Sequence, residues 1–331
     1  MPESYRIYGN ELSPYSMKVR SYLRFKQIPH EWIVRSPAVE DEFRKYAKLP
    51  LIPLLVTPDG KGLQDSTPII EQLERERPEP SIIPPDAACA FISALIEEYA
   101  DEWGNKPMFH YRWFYEADQR VAGERLARSQ MPGLDDEAVQ GGVEMIKARM
   151  IPRLSFVGST AATKEPIEAS YRRLLAILEK HLAARPYVFG GRPALADFGL
   201  FGQLYELSID PTPAALIRGS APRVAKWIQE MLGPRVDGVF EPWEALAPTL
   251  MPLLHDEIAA TFLPWSTANA TALAAGEKTF TVDLGGTAFS QEPQKYHAKS
   301  LAALKARYAA VADKSALDPI LDQSGCRRWL Q

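Results

Sequence analysis

Cysteine is scarce: Cys89 and Cys326 are the only two in 331 residues. They stand far apart and outside any C-x-x-C pattern, which excludes a disulfide framework and a cysteine-rich zinc site. The five histidines, His30, His110, His181, His255 and His297, include no pair at the three- or four-residue spacing that a helical metal site needs, so no metal is expected. No apolar run approaches the ~20 residues required to cross a bilayer, and the opening MPESYRIYGNELSPYS has no apolar signal core. The expectation is a cytoplasmic protein with no membrane partner. An excess of positive charge is also missing. With 38 basic against 42 acidic side chains the formal charge is −4, and little is left to hold a polyanion, so no nucleic acid is expected as a partner. A Gly-rich phosphate loop, a G-x-S-x-G elbow and an H-E-x-x-H helix are absent as well, which leaves nucleotide hydrolysis, α/β-hydrolase chemistry and zincin chemistry without support.

What is present is a globular composition. Hydrophobic residues make up 46% and charged residues 24%, with 13 Phe, 13 Tyr and 7 Trp to fill a core. The length is about twice that of a common single domain of ~100–200 residues, which favours two folded units. The first unit alternates: Tyr5 to Tyr8 reads as a strand, Tyr15 to Lys26 as a helix, and Glu31 to Arg35 as a second strand. A polar helix around Glu40 to Lys48 follows. Leu54 to Thr57 and Gly62 to Gln64 then flank the turn residues Pro58-Asp59-Gly60 as a hairpin. DSTPIIEQLERERP starts a helix with small polar residues and Pro68 and ends it before Pro78.

PEPSIIPPD, with four prolines in nine residues, is too poor in N–H donors for a helix or a central strand and marks the linker. The segmentation is therefore 1–78, a linker 79–86, a helical unit 87–247, and an extension 248–331. Helical periodicity dominates beyond the linker. In SYRRLLAILEKHLA, for example, Tyr171, Leu174, Leu175, Leu178 and Leu182 share one face. The extension reads as a helix to about Ala275, a short strand pair around Gly285-Gly286, and a helix with Leu301, Leu304, Tyr308 and Val311 on one face.

Three places in the first unit carry candidate chemistry. Ser13-Pro14 offers a hydroxyl N-cap and a proline at the first helical position. That is either capping alone or a helix N-terminus whose free N–H groups stabilise a thiolate or phosphate. Ile52-Pro53 before the hairpin is either a simple strand start or a cis turn that bares backbone groups. Asp65-Ser66 opens the third helix, where Ser66 and the helix N–H groups suit a carboxylate and Asp65 an ammonium, with capping again the simpler reading.

Taken in order, SPYS on the first helix, Ile-Pro before a hairpin and Asp-Ser at the third helix resemble the thioredoxin-like N-terminal domain of glutathione transferases. The proline-rich linker, the all-helical second unit and GGRPALADFGLFGQL with its Asp197 extend the resemblance over roughly residues 4 to 245. It implies an α/β domain followed by the all-α glutathione transferase C-terminal domain, with an additional C-terminal segment. It also implies a homodimer, glutathione as co-substrate and an apolar electrophile as its partner. By the same resemblance, Ile52 and Pro53 present backbone to the cysteinyl part of glutathione, and Asp65 and Ser66 take its γ-glutamyl end. Ser13 corresponds to the hydroxyl that activates the thiol, Ser16 one turn on is the alternative, and Tyr8 belongs to packing. Because SPYS holds serine rather than cysteine, a mixed disulfide cannot form there, and conjugation or thiolysis by bound glutathione remains. Trp103, Phe109, His110 and Trp113 are candidates for the wall of the electrophile pocket, the alternative being a helix core.

The sequence departs from the family pattern in three ways. Leu51 stands where a basic residue usually contacts a glutathione carboxylate, the nearest lysine being Lys48. Ala194 replaces the usual Ser or Thr cap, so Asp197 needs another N–H partner. The extension from about Pro248 has no counterpart and is expected to pack on the helical unit and partly cover the cleft.

Overall fold

Tyr5, Ile7 and Tyr8 are buried in the first strand, and β-branched and aromatic residues recur in the strands that flank it, so the N-terminal segment builds a sheet. The computed structural model describes residues 4–133 and 135–331. The sheet consists of β1 (Tyr5–Gly9), β2 (His30–Val34), β3 (Leu54–Val56) and β4 (Gly62–Gln64), in the order β2-β1-β3-β4. β1 runs parallel to β2 and antiparallel to β3, and β3 pairs antiparallel with β4. Three helices accompany it: α1 (Pro14–Phe25), α2 (Glu40–Tyr46) and α3 (Ser66–Glu76). This is the thioredoxin-like arrangement.

Register determines where the site forms. Tyr8 pairs with Leu54, and Leu54 pairs with Gln64. The segment after Tyr8, the residue before Leu54 and the residue after Gln64 therefore emerge at one end of the sheet. Those positions are the Gly9–Ser13 loop, Pro53 and Asp65.

The second unit is helical: α4 (Ala87–Glu102), α5 (Asn105–Phe114), α6 (Glu116–Gln130), α7 (Asp136–Met150), α8 (Lys164–His181), α9 (Leu195–Ile209), α10 (Pro211–Ser220) and α11 (Pro222–Glu230). The almost wholly apolar α9 lies between α1 and α4, and glycine permits the approach. A Cβ added at Gly202 would stand 2.6 Å from the Pro14 carbonyl oxygen, and one at Gly199 2.9 Å from Cγ of Glu97. At the start of α9, where Ala194 offers no hydroxyl, the Asp197 N–H turns to the Ala194 carbonyl (2.9 Å), and the Asp197 carboxylate accepts N–H bonds from Ala194 (2.9 Å), Val188 (2.9 Å) and the Trp227 indole (3.1 Å).

The extension is folded onto this body. It begins inside α12 (Trp243–Pro252), a helix that runs across the expected boundary at 247/248, and continues through a π-helical stretch (Leu253–Phe262), α13 (Leu263–Ala275), the hairpin β5 (Phe280–Asp283) and β6 (Ala288–Gln291), α14 (Lys295–Ala310), α15 (Leu317–Ser324) and the short α16 (Arg327–Leu330). The helix expected to reach Ala275 is thus interrupted by wider π-type turns. Phe262, Leu263, Trp265, Phe289, Leu301, Leu304 and Leu321 of this segment belong to the same buried core as α4 and α9. Glu257 anchors it, accepting from Arg173 (2.6 Å), Ser170 (2.5 Å) and Tyr99 (3.2 Å).

Candidate functional site

Ser13 is the N-cap of α1, in extended conformation, with Pro14 next to it. Its Oγ accepts from the backbone N–H of Ser16 at 3.3 Å and from the Ser16 hydroxyl at 3.0 Å. A serine oxygen has two acceptor positions and one proton, so both lone pairs are engaged and the proton is left to donate elsewhere. Ser16 itself is fully buried against Gly9. Of the two hydroxyls, Ser13 is the one with access to a ligand, and Ser16 acts on it from below.

The loop that carries Ser13 is held from the helical unit. Arg112 of α5 donates to the Leu12 carbonyl oxygen at 3.0 Å. The same guanidinium pairs with Glu206 (2.6 Å) and Asp210 (2.7 Å), and all three groups are buried. Burial opposes the arginine charge, but the two carboxylates outweigh it and raise its pKa. Asn10 fixes the loop from within, accepting the Leu12 N–H at 2.8 Å and donating to Ser129 of α6 at 3.2 Å.

Ile52-Pro53 is a cis peptide. Among the described residues neither the N–H nor the C=O of Ile52 has a hydrogen-bond partner, so both remain available to an extended peptide ligand. Gln64 shapes the approach to this point. Its side-chain amide donates to the carbonyls of Leu49 (2.8 Å) and Leu51 (2.9 Å) and accepts from the N–H groups of Lys48 (2.7 Å) and Leu49 (2.9 Å). Leu51 is 60% exposed, so this position presents an apolar side chain to solvent in place of a basic one.

Asp65 has φ +77°, a left-handed conformation that a non-glycine residue adopts only where its surroundings impose it. Ser66 begins α3 and is buried. Behind them Lys18 is completely enclosed, donating to Asp101 (2.6 Å), Thr67 (2.9 Å) and Glu97. Burial disfavours its charge, and the adjoining Asp101 and Glu97 carboxylates override that and keep it protonated. Desolvation raises the Asp65 carboxyl above the usual range, while a hydrogen bond from Tyr296 works in the other direction.

The aromatic candidates separate. Trp103 is enclosed, with its indole donating to Ser170 (2.8 Å) and its ring 5.6 Å from both Trp265 and Phe289 of the extension. His110 is buried between Ser159 (2.7 Å) and Glu168 (3.2 Å), and burial lowers its pKa. Trp113 lies in a core with Val139, Val143 and Ile146 of α7. These three are packing residues in this fold and do not line an open wall. Phe109 is half-buried on the margin of that core, where Leu12 also packs, and so stays on the Ser13 side.

Residues 7–81 match the family described as "Glutathione S-transferase, N-terminal domain", and residues 159–230 match "Glutathione S-transferase, C-terminal domain". The chain belongs to the glutathione transferase superfamily. This transferase is 25% identical over 211 residues to the isoprene-epoxide–glutathione S-transferase of Rhodococcus sp. (strain AD45), a span of 61% of this chain and 82% of that protein. Among solved structures it is similar to the β-etherase LigF of Sphingobium sp. strain SYK-6, at 19% identity and a TM-score of 0.50 over 69% of this chain and 94% of that one. It is also similar to a glutathione S-transferase of Methylobacterium radiotolerans JCM 2831 in complex with glutathione sulfonate. There the identity is 20% and the TM-score 0.44, over 74% of this chain and 94% of that one. The family matches end at residue 230, so the transferase's extension lies beyond them. No helix among its described residues is long and apolar enough to cross a membrane.

The Gln64 clamp and the Arg112 bond to Leu12 were not drawn from the sequence. Gln64 adjoins the Asp65-Ser66 pair, which is the only local signal it carries. Arg112 shows its role only once α5, α9 and the Ser13 loop are in place.

Proposed function

We propose that this chain activates the thiol of glutathione with Ser13 and delivers it to an apolar electrophile. The observation that carries this reading is the Ser13 oxygen, whose acceptor positions are filled by Ser16 and whose proton is free at a helix N-terminus. A hydrogen bond to a charged acceptor contributes ~1.5–3 kcal/mol. That is enough to bring a thiol of ordinary pKa ~8.5 close to neutrality, and the helix N-terminus acts in the same sense. Ile52 pairs with the cysteinyl backbone beside Pro53, and Asp65 and Ser66 bind the γ-glutamyl ammonium and carboxylate.

The electrophile meets the sulfur on the side of Leu12 and Phe109. A small alkene epoxide is the first substrate class to try, since the Rhodococcus relative is named for one. Thiolate attack on an epoxide carbon forms the C–S bond and breaks the C–O bond. The resulting alkoxide takes its proton from water.

The test is a titration of glutathione into the purified protein with thiolate absorbance as the readout, on wild type, Ser13→Ala and Ser16→Ala. Thiolate near neutral pH that vanishes in Ser13→Ala is the expected result. The same signal in Ser13→Ala as in wild type overturns the assignment. Exposed Leu51 favours a second reading, a glutathione carrier on the same scaffold, which predicts binding without thiolate in the wild type.

A further inference from the structure

A hydrogen-bond donor to the carboxylate of Asp65 comes from the far end of the chain. Tyr296, in the first turn of α14, donates its hydroxyl to Asp65 Oδ2 at 3.2 Å. The helix that carries it is fastened along one face. His297 pairs with Glu102, Ser300 donates to Glu98, and Arg307 pairs with Glu71 of α3. Leu301 and Leu304 bury themselves between these polar contacts. The contacts run from α4 across to α3, so the position of Tyr296 over Asp65 is set by a row of anchors and not by a free side chain.

We infer that Tyr296 is a positioning residue for the γ-glutamyl end of the glutathione site, and that the C-terminal extension is therefore part of that site. The inference rests on the reading of Asp65 and Ser66 given above. By engaging one carboxylate oxygen, the tyrosine hydroxyl leaves the other to accept an ammonium. The charged groups that act on Asp65 are the carboxylates of Glu97 and Glu102 against the single ammonium of Lys18, a balance that suits a cation. Asp65 sits in a strained backbone conformation, and a second tether on its side chain helps to fix where the carboxylate points.

The experiment compares binding of glutathione with binding of cysteinylglycine, which has the same thiol and no γ-glutamyl group, by calorimetry on the full chain. Tyr296→Phe is expected to weaken glutathione about threefold to tenfold, the range of one lost hydrogen bond, and to leave cysteinylglycine unchanged. Tyr296 is 57% exposed, so the variant removes only a hydroxyl near the surface. In an Asp65→Asn background the Tyr296→Phe effect is expected to disappear, because the tyrosine acts through that carboxylate. Equal losses for both thiols, no loss for either, or a full effect persisting in Asp65→Asn would each overturn the inference. Failure of the parent reading looks different, since wild type would then bind no glutathione at all.

Discussion

The side-chain nitrogen Nζ of Lys106 on α5 lies 2.7 Å from Oε1 of Gln291, the last residue of the C-terminal hairpin. It is wholly buried, 4.0 Å from the centre of the Trp265 ring, and among the described residues it forms no ion pair, the Glu102 charge acting on it only in part against burial. Its second acceptor is the Val157 carbonyl at 3.2 Å, and desolvation drives its pKa well down. Gln291 in turn accepts from the Trp265 indole at 3.1 Å and donates to the Phe156 carbonyl at 2.7 Å. Lys106→Ala removes the centre of this cluster and leaves a cavity, an expected loss of ~2–4 kcal/mol in chemical denaturation. The extension should also become the first site of limited proteolysis. An unchanged denaturation midpoint would mean that the hairpin is held by other contacts.

On the proposed mechanism, Ser16 acts on the thiol only through Ser13. Ser16→Ala frees a lone pair on Ser13 Oγ, so the Ser13 proton is no longer directed solely outward. The thiolate pKa should rise and turnover fall severalfold. Ser13→Ala should lose about 10- to 100-fold, the equivalent of ~1.5–3 kcal/mol. Steady-state rates with a fixed electrophile decide it, and a larger loss in Ser16→Ala than in Ser13→Ala would reverse the roles.

His181 ties α8 to α12 through Thr249 (2.7 Å) and to the Val188 carbonyl (2.8 Å). Burial holds it at about 4, below the ordinary 6.5. The unfolded chain therefore takes up a proton that the folded chain refuses as pH falls from about 6.5 to about 4. Stability is full above that window and declines through it, by at most ~3 kcal/mol from this residue. Denaturation midpoints measured across the window should fall with acid in wild type and fall less steeply in His181→Gln.

A methyl group at residue 202 has nowhere to go. Gly202→Ala presses on the Pro14 carbonyl oxygen, a backbone atom in the first turn of α1, and pushes α9 away from it. The expected penalty is ~1–3 kcal/mol in stability, together with weaker glutathione binding because Ser13 shifts with its helix. Thermal unfolding with and without glutathione reads both effects, and retention of both properties would show that the α1–α9 contact yields easily.

Much of the N-terminal unit was legible because its signals are local. Ser13-Pro14 starts α1, Pro58-Asp59-Gly60 turns the hairpin, and alternation marks β1 to within a residue of its observed end. Orientation was not legible. Trp103, His110 and Trp113 sit on helices whose faces look alike in sequence, and what encloses Trp103 is Trp265 and Phe289, more than 150 residues further on. The π-helical stretch after Pro252 left no trace in the periodicity, since its apolar residues satisfy an α-helical pattern as well. Tyr296 looked like any other residue of an amphipathic helix.

The bond between Tyr296 and Asp65 spans 231 positions. On the ribosome, the sheet end that carries Ser13, Pro53 and Asp65 emerges early. The hydroxyl that meets Asp65 is translated only in the last part of the chain, and the helix bearing it must then find α3 and α4. Until it does, the Asp65 carboxylate goes without the tyrosine hydroxyl that fixes it in the finished fold.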